Sequence, residues 1–254
     1  LAQGQVLSYY DSQGNQLASG TIAAVDGDKI FINGKSLGFQ LPSEQNGKTI
    51  QAIGDAKLNT TTKKFGSASL QLDGVGDAAK VNTNADFGFG TGDFTIDFWA
   101  YPNAVQTTSL IDMRNNVSVE NALYFYVANN VPKVYVNGSD IITGSQGFNL
   151  STWTHCEIVR SSGTITVYIN GSSVGSASAS ADFANAKPLV IGNNYGNTNG
   201  WNGYIDGLRV YKGQALHTGN FTAPTTEAVG NANTKLVANF NGNNASTTFL
   251  DTTL

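Results

Sequence analysis

Trp153-Thr-His-Cys-Glu-Ile-Val-Arg160, followed after two serines by Gly163-Thr-Ile-Thr-Val-Tyr-Ile-Asn-Gly171, is the stretch on which the fold turns. In its second half Ile165, Val167 and Ile169 alternate with Thr166 and Tyr168. Alternation with period two puts the three apolar side chains on one face of a half-buried strand. The run stops at Asn170-Gly171, a pair that tolerates the positive φ of a type I′ turn, so a tight hairpin is expected there.

The same grammar extends in both directions. Phe94-Thr-Ile-Asp-Phe-Trp-Ala100 places residues 94, 96, 98 and 100 on one face, opposite Thr95 and Asp97. Lys133-Val-Tyr-Val-Asn137 turns Val134 and Val136 inward. Asn-Gly closes β-runs again at Asn33-Gly34 and Asn137-Gly138. Long amphipathic helices are missing from the pattern, and short helical turns are expected only at Gly213–Leu216. The chain has 254 residues, 29 of them Gly, and only 13% charged residues. That is about half the usual charged share. With one Met, few Leu and few strong helix formers, a helical bundle is excluded.

Composition excludes more. The net charge of −4 comes with no basic run, which argues against a nucleic-acid partner, since phosphate contact needs clustered Lys and Arg. No apolar run approaches the roughly 18 to 20 residues of a membrane-spanning helix. Cys156 is the single cysteine, so neither an internal disulfide framework nor a thiolate zinc site is expected. Leu1 opens a stretch without the features of a secretory leader, and a trimmed or incomplete N-terminus is expected. Punctuation divides the chain into a β-rich unit at 1–43, a dense series of strands at 44–222, and a linker with a last strand at 223–254.

Several of these segments resemble laminin-G-like, concanavalin A-like jelly rolls. Phe65-Gly-Ser-Ala-Ser-Leu-Gln-Leu-Asp-Gly74 resembles their opening, and Phe94 to Pro102 their next strand. The Trp153–Gly171 stretch resembles their central hairpin. Leu189-Val-Ile-Gly192 and Trp201 to Tyr211 resemble the closing strands. The implied fold is an all-β antiparallel sandwich with a small N-terminal β-rich unit. Leu208 to Leu216 and Asn220 to Pro224 are further similar to the subtype found in virion proteins of tailed, often marine, phages. One departure stands out: the strand that should open such a module, like Thr234 to Gly242, lies after the rest of it. It could complete this chain's own sheet, pair with a neighbouring subunit, or begin a second module. Self-completion is favoured, because an unpaired central edge is costly.

Three kinds of chemistry suit such a fold. Glycosidases of this fold place paired carboxylates on one strand, and no such pattern is present; Glu120 and Glu157 read as isolated, and His155 as structural. The chain is therefore expected not to be an enzyme. The resemblance implies a structural Ca²⁺, which prefers hard oxygen ligands. Its candidate ligands are Asp73, Asp206 and Asp251, with Asp77 weaker, although Asp residues at turns also serve as caps. Glycan recognition needs aromatic platforms and amides. Residues 192–202 have that composition, which nominates Tyr195, Trp201, Asn193, Asn194 and Asn199, with Arg114 and Asn116 facing them. Asn and Gly are also plain turn formers, and Trp201 also suits a core plug. Trp99 and Trp153 read as core.

The resemblance then implies a non-enzymatic virion protein: a capsid decoration, fibre or tail component. Its expected partners are other virion proteins and a host-surface glycan, and a homo-oligomer is a further expectation. A secreted or cell-surface lectin or adhesin, and a glycoside hydrolase, are the alternatives. In this reading the N-terminal unit anchors the protein, with Tyr9-Tyr10 and the Phe31 to Phe39 stretch meeting the partner.

Overall fold

A computed structural model describes residues 6–10, 16–26, 29–33, 47–115 and 119–253. The chain divides into two units, Leu1–Glu44 and Gln45–Leu254. In the first, β1 (Val6–Tyr10), β2 (Gln16–Asp26) and β3 (Lys29–Asn33) form an antiparallel sheet in that order. The second turn residue Gly34, the Pro42–Ser43 break and the side chains expected to meet a partner lie outside the described residues.

The second unit is a sandwich of two antiparallel sheets. One has seven strands: β4 (Ile50–Ile53), β7 (Ala78–Asn84), β9 (Thr108–Asp112), β10 (Tyr124–Ala128), β11 (Val131–Val136), β12 (Ser139–Thr143) and β16 (Lys187–Ile191), in the order β12-β11-β10-β9-β16-β7-β4. The other has β5 (Lys57–Asn59), β6 (Ser69–Asp73), β8 (Phe94–Pro102), β13 (Thr154–Ser161), β14 (Thr164–Ile169), β15 (Ser172–Ser178) and β17 (Asn202–Lys212), in the order β15-β14-β13-β8-β17-β6-β5. Its eighth strand, β18 (Thr234–Ala238), pairs with β17.

Alternation builds the core as the sequence requires. Phe94, Ile96, Phe98, Ile158, Ile165, Val167 and Val210 from one sheet meet Val81, Leu110, Phe125, Val134, Leu189 and Ile191 from the other, all buried. Asn137-Gly138 (φ 47° and 92°) and Asn170-Gly171 (φ 49° and 81°) turn the β11–β12 and β14–β15 hairpins. Asn129-Asn130 and Ser162-Gly163 do the same for β10–β11 and β13–β14, also with positive φ. No helix forms at 213–216; a 3₁₀ turn sits at Ala85–Phe87 instead, capped by Asn84. The Thr95 hydroxyl on β8 holds this segment instead, donating to Gln214 O and accepting the Leu216 N–H.

The C-terminal strand pairs within this chain. On the far side from β8, β17 is paired by β6 along Asn202–Ile205 and by β18 along Leu208–Tyr211. The tail then runs along the sandwich edge. Leu58 exchanges backbone hydrogen bonds with Ala245 and Ser246, and Phe249 bridges Ile50 on β4. Phe240 and Phe249 pack edge to face beneath it, both buried.

Candidate binding face and carboxylate clusters

With Phe125, Val127, Val134 and Val136 turned into the core, Tyr124, Tyr126, Lys133 and Tyr135 point outward from the seven-stranded sheet. Strand register aligns them into a row, Asp140–Tyr135–Tyr124–Asp112–Val190–Lys80–Gln51, across all seven strands. Arg114 folds back over this row. Its Nε and Nη2 donate to the two carboxylate oxygens of Asp112 at 2.9 and 2.7 Å. Its guanidinium lies 3.8 Å from the centre of the Tyr124 ring and 4.8 Å from that of Tyr195. A buried, forked ion pair of this kind fixes the guanidinium plane and the rings against it.

Asp112 also accepts the backbone N–H of Tyr195 at 2.9 Å, which seats residues 193–199 on the face. Tyr124 and Tyr126 stack at 5.0 Å. The Tyr124 hydroxyl is 2.8 Å from Ser109 Oγ, while Tyr126 donates to Asp140, which Lys133 also binds at 2.9 Å. Burial opposes the Arg114 charge, but the hydrogen bonds and charge of Asp112 hold its pKa above the ordinary value. Burial, then Asp140, pushes the Tyr126 hydroxyl up, so it stays protonated.

The structure thus brings Arg114 and Tyr195 together and assigns other work to their companions. Asn193 is fully buried: its amide donates to Asp77 O and Asn197 Oδ1, and its Oδ1 accepts the N–H groups of Asn194 and Asn199. Asn194 Oδ1 accepts Thr198 N–H, and Asn199 Nδ2 donates to Ser109 Oγ. These amides build the loop. Trp201 is a correction: it is wholly buried against Phe148 and offers no platform, because its strand enters the core there. Trp153 is the opposite correction: it is half-buried and packs on Tyr101 outside the eight-stranded sheet. Trp99, though buried, also faces outward, beneath Lys64. Asn116 lies outside the described residues. Tyr124, Tyr126, Tyr135 and Asp112 were not singled out from sequence; the i, i+2 spacing of Tyr124 and Tyr126 was the available signal.

Of the expected metal ligands, Asp73 and Asp77 come together, whereas Asp206 and Asp251 lie apart from them. Asp206 Oδ2 accepts the N–H groups of Lys64 and Phe65 at 2.8 and 3.1 Å. Burial nevertheless raises its pKa to about 7. Asp251 accepts N–H from Lys48, Val237 and Thr253. Both carboxylates accept backbone N–H groups, Asp251 also the Thr253 hydroxyl, and neither joins Asp73. Asp73 instead meets Asp55 and Asp77, with one carboxylate oxygen of each lying within 4.8 Å of the others. Asp77 Oδ1 and Oδ2 accept Asp55 and Asp73 N–H, and burial pushes its pKa up. This all-oxygen donor set fits a hard cation such as Ca²⁺.

Glu157 is not isolated. Register sets it directly beside Asp97, which is bound by Arg209 and, at 3.3 Å, by His155 Nε2. Both carboxylates are buried to 1% or less. Burial works to raise the Asp97 pKa, but His155 and Arg209 bring it below the ordinary value. Glu120 accepts the Asn115 N–H and binds Lys187, tying Asn115, the neighbour of Arg114, to Glu120.

Two antiparallel sheets packed face to face, with almost no helix, define the second unit as a jelly-roll sandwich. Residues 73–219 match the family model described as concanavalin A-like lectin/glucanases superfamily, in its laminin-G form, and the chain belongs to that family. No curated protein matches it by sequence. Among solved structures it is similar to the binding domain of botulinum neurotoxin DC in complex with rat synaptotagmin II (14% identity, 76% of this chain and 47% of that one, TM-score 0.51). It is also similar to a mutant Trypanosoma rangeli sialidase displaying trans-sialidase activity (13%, 66% and 28%, 0.51). Domain 4 of the GH43 extracellular arabinanase AbnA from Geobacillus stearothermophilus, in complex with arabinotriose, is a third (18%, 64% and 78%, 0.49). The chain spans less than half of the neurotoxin domain and of the sialidase chain.

Proposed function

We propose that this chain is a non-enzymatic carbohydrate-binding module displayed on a phage virion, as a capsid decoration, fibre or tail component. The observation that carries the binding reading is the Arg114–Asp112 pair holding the Tyr124 and Tyr195 rings on an outward sheet face. Immobilised aromatic rings beside amides and hydroxyls are what sugar rings stack on and hydrogen-bond to. Family membership in a lectin-like superfamily supports it. The catalytic alternative is disfavoured because the adjacent acids Asp97 and Glu157 are buried away from this face. A structural Ca²⁺ at Asp55, Asp73 and Asp77 would brace residues 193–199, since Asn193 and Asn197 bind the backbone of Asp77 and Gly76.

The virion reading rests on the sequence resemblance at Leu208–Leu216 and Asn220–Pro224, and with it the expected partners, other virion proteins, and a homo-oligomeric display. Many weak copies on one particle would bind through avidity. Within the second unit, Lys48 and Asp251 meet at one end of β4, and the Gly54–Asp55 turn lies at the other. A glycan array probed with the wild-type chain and Tyr195→Ala tests the binding: signal lost in the variant supports it, and no signal in either overturns it. Electron microscopy of labelled intact particles tests the location, with a secreted or cell-surface lectin as the outcome that overturns it.

A further inference from the structure

Residues 213–223 run across the outer face of the eight-stranded sheet as a strap. Gln214 O accepts from Thr95 Oγ1 at 2.9 Å, and Leu216 N–H donates to the same oxygen at 3.0 Å. Phe221 N–H donates to Gly171 O at 2.9 Å, and Ser173 N–H to Asn220 Oδ1 at 3.0 Å. The approach is close: a side chain on Gly171 (φ 81°) would collide with Phe221 O. His217 stacks on Phe221 at 3.7 Å, and Phe221 meets Tyr168 and His155 edge to face.

Beneath it lie two adjacent carboxylates, Asp97 and Glu157, and one guanidinium, that of Arg209. Arg209 is bound to Asp97. Among the described residues, Glu157 has a single side-chain partner, the strap's His217, whose Nδ1 lies 2.9 and 3.0 Å from its two oxygens. Tyr168 from β14, Asp97 from β8, Arg209 and Tyr211 from β17, and His155 from β13 complete the surroundings. Glu157 and His217 can hold a proton between them, as an acid donating to a neutral ring or as an imidazolium donating to a carboxylate. Without that proton a net negative charge stays buried beside Asp97, and desolvation makes this costly.

We propose that residues 213–223 are a proton-controlled strap, closed while Glu157 and His217 share a proton and lifting when that proton is lost. The proton passes to water, and lifting hydrates the Glu157 carboxylate. The directions agree: burial, with the Asp97 charge, raises Glu157 to about 9, and burial lowers His217.

Hydrogen exchange of the full chain at pH 7, 8 and 9, read as protection of the Leu216 and Phe221 amides, tests this. One-proton linkage predicts a loss of up to about tenfold per pH unit, while amides of the β8–β13 ladder keep their protection. In Glu157→Gln the dependence disappears. Equal protection at all three pH values in the wild type, or the same slope in Glu157→Gln, overturns the proposal. Should Glu157→Gln fail to fold, His217→Gln on the strap serves: protection at pH 7 below that of the wild type supports it, and unchanged protection overturns it.

Discussion

Asp251 accepts the backbone N–H of Lys48 at 2.7 Å with one carboxylate oxygen and that of Val237 at 3.1 Å with the other. One side chain thus joins the first residues of the jelly roll, its displaced last strand and its tail. Asp251→Ala leaves both donors without an acceptor in a buried site and is expected to cost about 1–3 kcal/mol, read from urea denaturation. Deleting everything after Val229 should cost far more. An equally stable monomer after that deletion would contradict the pairing of β18 with β17.

Three buried acids, Glu157, Asp206 and Asp97, predict an unusual pH dependence. Glu157 ionises near 4.5 when exposed and near 9 in the fold, so unfolding releases its proton between those values. Stability therefore falls as pH rises through that window. Asp206, raised from 3.8 to about 7, adds the same slope at lower pH. Asp97 works oppositely, because its depressed pKa withdraws stability only on acidification. Thermal melts from pH 5 to 9 should show a falling melting temperature, and Glu157→Gln should flatten the upper half of the curve.

Trp201 and Tyr195 lie on one loop and separate stability from binding. Trp201→Ala empties a fully buried site and should cost about 3–5 kcal/mol. Tyr195→Ala, half-buried on the outer face, should leave the melting temperature within a few degrees and remove glycan binding. Melting curves and array signals for the two variants check this, and equal destabilisation by both would contradict it.

Arg114→Lys keeps the charge but not the fork to Asp112. A lysine cannot reproduce two parallel N–H donors in one plane, so glycan binding is expected to fall with little change in overall charge or fold. Isothermal titration against the best array ligand reads the difference.

Chelation addresses Asp55, Asp73 and Asp77. If calcium neutralises these three carboxylates, EDTA lowers the melting temperature and excess Ca²⁺ restores it. Asp73→Asn should remove most of that response. A melting curve indifferent to EDTA would leave the cluster as a turn-capping group.

Much of the fold was readable because its signals are local. The alternation at Phe94–Ala100 and Thr164–Ile169 and the Asn-Gly pairs at 137–138 and 170–171 act within a few residues, and each forms the strand or turn it predicts. The Ser162-Gly163 and Asn129-Asn130 turns were missed because those pairs are weaker turn signals. The 213–216 segment forms no helix, and the hydroxyl that holds it belongs to Thr95, far away in the chain.

The site was legible only in part. Loop composition pointed to Tyr195 and to Arg114 as its neighbour, but the same composition drew in Trp201, which the core takes, and Asn193, which the loop itself uses. By itself the sequence determined the strands, their inward faces, the hairpins and the family, since each depends on period and turn chemistry. Tertiary structure alone decided that Arg114 lies on Tyr124, that Glu157 stands beside Asp97, and that Asp251 holds Lys48 and Val237. Those pairings follow from the register between strands distant in sequence. Register is set by the packing of the whole core, so no single segment contains it.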